Sequence, residues 1–126
     1  MRGHVRVLAE AFRIIHRIRL MIAFEVKVNG ESLTIAGADD LAVLTAIVTA
    51  VGKLGCNSAG AAQLEQDYKL ELTVGGLTSR IGGAPDEHFD WSKRTLQPGD
   101  IVTVKLVEAN ATDSPIRSQP ARAYGD

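Results

Sequence analysis

The chain is 126 residues long, with Lys and Arg 14 times and Asp and Glu 15 times, so its formal net charge is −1; 45% of it is hydrophobic. That is one domain's length with one modest core, and the near-neutral charge argues against a general nucleic-acid binder held by a basic surface. The single cysteine, Cys56, excludes an internal disulfide framework and any multi-cysteine metal site.

The total hides an asymmetry. Residues 1–20 hold five arginines against one glutamate, a charge of +4; the remainder holds nine Lys and Arg against fourteen Asp and Glu, a charge of −5. The arginines interrupt every apolar run at the start, so no secretory signal is expected there. No run is long enough for a transmembrane helix, which makes the cytoplasm the expected location. Val5, Leu8, Phe12 and Ile15 recur at helical spacing and predict an amphipathic helix over residues 4–20. Three readings of residues 1–20 stay open. The helix docks on the domain or on a partner; its basic face contacts a membrane surface; or the segment is a non-native extension, with the chain starting at Met21 instead of Met1.

From Met21 the apolar period becomes two. Ile22, Phe24, Val26 and Val28 predict a half-buried strand. Asn29-Gly30 predicts a type I′ hairpin turn, and a return strand follows with Leu33 and Ile35 inward and Ser32 and Thr34 outward. Asp39 or Asp40 offers an N-cap, and Leu41, Leu44, Ile47, Val48, Val51 and Leu54 share one arc of a helical wheel, so a helix ending near Gly55 is expected. Its opposite arc, Ala42, Thr45, Ala46, Thr49 and Lys53, is small and weakly polar, with no charge between Asp40 and Lys53. Ala42, Ala46 and Ala50 there would let the N-terminal helix or a second copy of the chain approach closely. Residues 56–67 read as a loop. Leu70, Leu72 and Val74 mark a third strand, and Gly75-Gly76 and Gly82-Gly83 bracket a polar loop. A short strand is expected near His88 to Ser92, then a type II turn at Pro98-Gly99 and a last strand from Ile101 to Glu108. Residues 109–126 are polar, contain Pro115 and Pro120, and read as a disordered tail.

The expected architecture is therefore α+β: one mixed sheet over residues 21–108, packed on one helix, with an extra helix over 1–20 and a tail over 109–126. This order of elements resembles the β-grasp, or ubiquitin-like, fold. Phe24-Glu-Val-Lys-Val-Asn-Gly30 is similar to the first hairpin of small bacterial sulfur carriers, and Leu96-Gln-Pro-Gly-Asp-Ile-Val102 to their entry into the last strand. The carriers end in an exposed Gly-Gly. This sequence ends Ala-Tyr-Gly-Asp, and both of its glycine pairs are internal. His88-Phe-Asp-Trp91 followed by residues 96–108 is also similar to short uncharacterised bacterial proteins, a resemblance that implies no activity.

Candidates for chemistry are sparse. Asp86, Glu87, His88 and Asp90 form the one dense polar group, but strand neighbours point apart, so a solvated edge is the expectation there. Cys56 has only Lys53 nearby to activate it. Arg80, between the glycine pairs, is a plausible anion contact, yet no phosphate-loop pattern surrounds it. No catalytic residue, metal ligand or cofactor is expected. The expected function is that of a non-enzymatic protein-interaction module, binding a protein partner or itself and not nucleic acid. The alternative is a carrier or accessory subunit of the sulfur-carrier-like branch. The candidate interaction surface comprises Phe12, Ile15, Ala42, Ala46, Ala50, Arg80, His88 and Phe89.

Overall fold

The hairpin signals place the first elements. Asn29 (φ 54°) and Gly30 (φ 80°) take the left-handed conformations that a type I′ turn requires. They join β1 (Met21–Val28) to β2 (Glu31–Ala36). The structure is a computed structural model and describes residues 20–60 and 67–121. The helix expected over 1–20 lies almost wholly outside the described residues.

The second expected helix is overturned: Leu41–Gly52 is a strand, β3. It pairs antiparallel with β4 (Tyr68–Thr78), from Leu41 opposite Thr78 to Gly52 opposite Tyr68. Six of its twelve residues, Val43, Thr45, Ile47, Val48, Thr49 and Val51, are β-branched. Such side chains are stiff at χ1 and fit a pleated strand better than a helix. A short 3₁₀ turn at Ile81–Gly83 follows β4, then β5 (Glu87–Leu96), β6 (Val102–Ala109) and β7 (Arg117–Pro120).

These strands form two antiparallel sheets, ordered β2-β1-β6 and β3-β4-β5-β7. The α+β expectation, a β-grasp-like sheet covered by a helix, is thereby corrected. What covers the first sheet is a second sheet. The buried core draws Val26, Val28 and Ala36 from the first and Leu72, Val74, Trp91 and Leu96 from the second. Face-to-face packing of this kind buries one face of each sheet. The inward set expected for β4 is found, with Leu72 and Val74 fully buried. That of β2 differs. A register shift opposite Val26 and Lys27 leaves Leu33 unpaired, so Thr34 and Ala36 are the buried residues and Ile35 is not. A bulge of one residue exchanges the faces of a strand.

The glycine pair Gly75-Gly76 is also not in a loop. It lies within β4, opposite Asp90 and Phe89 of β5. The expected turn at Pro98-Gly99 is present: Asp100 N–H donates to Gln97 C=O at 3.0 Å, and Gly99 has φ 95°.

The expected disordered tail is corrected over its described part. Residues 110–121 form a strap from the first sheet to the second. Thr112 donates its hydroxyl to Gly37 C=O at 2.7 Å. Asp113 N–H donates to Ile35 C=O at 2.8 Å, and the Asp113 carboxylate accepts from Ile35 N–H at 2.9 Å and from the Thr34 hydroxyl at 3.2 Å. Trp91 Nε1 donates to Asp113 C=O at 2.8 Å. β7 then pairs with β5. Polar composition gave no apolar face to read, but these residues satisfy backbone and side-chain groups at the rim of the core. Thr34 is 4% exposed, so its hydroxyl depends on Asp113. Asp113→Ala is expected to cost about 1–2 kcal/mol, because it orphans a buried donor. A urea unfolding midpoint equal to that of the parent would contradict this role.

Candidate interaction surface

Two sheets have four outer strands, and an outer strand exposes backbone donors and acceptors that invite another strand. Three of the four are blunted. The free side of β2 is occupied by Asp113. β7 has four residues and ends in Pro120, which has no N–H to donate. β6 carries Lys105 and Glu108. β3 has none of these devices. It is twelve residues long, carries no charge between Asp40 and Lys53, and among the described residues it pairs with β4 alone.

Its side chains are uncharged on both faces and mostly aliphatic. Val43, Thr45, Ile47, Thr49 and Val51 stand opposite Leu77, Gly75, Thr73, Glu71 and Lys69, on the outer face of the sheet. Leu44, Ala46, Val48 and Ala50 stand opposite Gly76, Val74, Leu72 and Leu70, on the core face. Leu44 and Ala46 pack against the core. Val48 is 59% exposed. On the outer face Val43, Ile47 and Val51 are 46%, 47% and 53% exposed. Exposed aliphatic side chains clustered along one uncharged edge make this strand the candidate interaction site.

Beside this edge the sandwich is open among the described residues. A groove of about 920 Å³ runs between β3 and the β1–β6 pair, lined by Ile22, Phe24, Leu106, Leu41, Val43 and Leu44 among others. Ile22 and Leu106 are exposed although they belong to the core-facing side of their sheet. The strap of residues 110–121 rims the side of β2 and β5 and leaves this side uncovered.

Arg80 is a clamp between neighbouring turns. Its Nε lies 2.9 Å from Asp40 Oδ2 and its Nη2 2.7 Å from Glu87 Oε2, while Nη1 donates to Pro85 C=O at 2.9 Å. The hydrogen bond to Asp40, and after it that to Glu87, raises the guanidinium pKa. Arg80 N–H donates to the Asp86 carboxylate at 2.8 Å, which also accepts from the Thr78 hydroxyl at 3.1 Å. The clamp joins the turn that enters β3 to the β4–β5 connection and so fixes where the β3 edge begins. Sequence reading missed the partners of Arg80, because Asp40 is forty residues away.

The other expected site residues divide. Phe12 and Ile15 lie outside the described residues. Ala42, Ala46 and Ala50 are all on β3, where Ala42 sits in a register shift between Leu41 and Val43. His88 is exposed on β5, with Nδ1 3.8 Å from Asp90 Oδ1. Phe89 is half-buried and meets Trp91 edge-on, with ring centroids 5.7 Å apart; it is a packing residue. Cys56 is exposed. Among the described residues no three His, Cys, Asp or Glu side chains converge to hold a metal ion, and no helix is long and apolar enough to cross a membrane. Of the residues that dominate the surface, Ile47, Val48 and Val51 belong to the buried arc of the expected helix and Val43 to neither of its arcs. Their β-branching and the missing charge were the signals for an exposed strand.

No family model, curated protein or solved structure matches this chain.

Proposed function

We propose that the protein is a non-enzymatic interaction module that takes a partner's strand on the free edge of β3. The observation that carries this reading is the contrast among the four outer strands: three are blunted, and the longest is uncharged, apolar and open. In strand addition the backbone ladder supplies affinity, and alternate side chains supply specificity. The acidic body of the chain favours a protein partner over nucleic acid. The reading places the protein in the cytoplasm, where the exposed thiol of Cys56 stays reduced.

The test uses fluorescein-labelled peptides of alternating Val and Thr with terminal lysines, titrated with the full chain and followed by anisotropy. Saturable binding is expected at protein concentrations low enough for the chain to be monomeric. Ile47→Lys, which places a charge in the middle of the edge, is expected to weaken it about tenfold or more. Equal binding by that variant, with its thermal unfolding unchanged, rules the β3 edge out as the site.

A further inference from the structure

We infer that the strand taken by β3 is β3 of a second copy, giving a two-fold dimer whose two four-stranded sheets join into one sheet of eight strands. The inference rests on the edge-docking reading above and adds the partner.

The argument is in the order of the side chains. Edge-to-edge antiparallel pairing of two identical strands needs a two-fold axis perpendicular to the sheet. That axis keeps each face on its own side, and a residue on the axis meets its own copy. The outer face of β3 reads Val43, Thr45, Ile47, Thr49, Val51, a palindrome centred on Ile47. With the axis at Ile47, Val43 of each copy meets Val51 of the other, Thr45 meets Thr49, and Ile47 meets Ile47. β-Branched pairs and Thr–Thr pairs are favourable across strands. On the core face the same register sets Leu44 against Ala50 and Ala46 against Val48, large against small each time, so the side chains interdigitate.

Other registers do worse. An axis at Ala46 would set Val43 against Thr49 and Thr45 against Ile47, mixing hydroxyls with apolar groups along the whole outer row. Charge agrees with the central register. No charged residue lies between Asp40 and Lys53, so no like charges oppose each other within the ladder. A partner of different sequence would have no need of this symmetry.

The test is a charge swap on the axis, read by sedimentation equilibrium of the full chain. The wild type is expected at twice the monomer mass of 13.5 kDa. Ile47→Lys and Ile47→Glu each oppose like charges at the axis and are expected to weaken the dimer about a hundredfold or more. Mixed in equal amounts, the two variants are expected to restore it, since Lys then meets Glu. Position 47 is 47% exposed, and unchanged thermal unfolding of each variant shows that the fold is kept. As a second reading of the same contact, Ile47→Cys in a Cys56→Ser chain is expected to oxidise to a covalent dimer, because directly opposed residues bring their Cα atoms within disulfide range.

A wild type that stays monomeric yet binds the strand peptides overturns self-pairing and leaves the docking edge standing. A wild type that does neither overturns both. A dimer that survives Ile47→Lys puts the interface elsewhere, and failure of the mixture to recover the dimer overturns the register.

Discussion

Replacing Trp91 by alanine is expected to destabilise the fold by about 3–5 kcal/mol, the usual range for removing a large buried aromatic. Trp91 is 3% exposed and belongs to the core between the sheets. Its ring meets Phe89 edge-on at an interplanar angle of 88°, a geometry that adds to simple burial. Its Nε1 also holds the strap through Asp113 C=O. Alanine therefore opens a cavity and loosens the strap together. Trp91→Phe separates the two effects: it keeps a ring and loses the donor, so it should cost less than alanine. Chemical denaturation of the three proteins measures this, and a loss below about 1 kcal/mol for alanine would contradict the central place given to Trp91.

Gly76→Ala is expected to cost about 2–3 kcal/mol through overpacking. A methyl group at Gly76 would lie 2.8 Å from the carbonyl oxygen of Val43, 3.0 Å from Leu41 Cδ2 and 3.3 Å from Trp91 Cζ3. The nearest of these is backbone, which cannot turn aside as a flexible side chain can. β3 would have to shift, and with it the docking edge. The variant should therefore unfold at lower urea and also bind strand peptides more weakly than the parent. Alanine at exposed Gly55, where no atom lies within 4 Å of the added group, is the control and should leave both unchanged. A Gly76→Ala protein of parental stability would show that β3 is not held at this distance.

The elements with local signals were legible in the sequence. Asn29-Gly30 and Pro98-Gly99 give turn chemistry within four residues, and the alternation of Leu70, Leu72 and Val74 against Lys69, Glu71 and Thr73 gives β4 its faces. β3 was not legible by periodicity. Both of its faces are apolar or small, so the period of two that marks a half-buried strand is absent. Leu41, Leu44, Ile47, Val48, Val51 and Leu54 then satisfy helical spacing by accident. Its six β-branched residues were the better guide, and so was the lack of any charge on what would have been the solvent face of a helix.

The candidate site was legible in part for the same reason. Ala42, Ala46 and Ala50 lie on the segment now proposed as the docking edge, and a second copy was among the occupants considered. The expected helix put Ile47 and Val51 on a buried arc, so the exposed row they form with Val43 on the outer face of β3 was not seen. The partners of Arg80 were not legible, because Asp40 is distant in sequence and Glu87 lies across a turn. The strap was missed because its contribution is hydrogen bonding at the core's rim, and a search for apolar faces does not see that.

The blunting of β2, β6 and β7 bears on how far assembly can proceed. A chain with two sticky edges adds subunits without end, as fibrils do. On the proposed pairing β3 accepts a strand while the other described outer strands are blunted, so each act of pairing consumes the one described edge able to propagate. Such a sheet would terminate its own growth, and a strand that is otherwise an aggregation hazard would become a saturable contact.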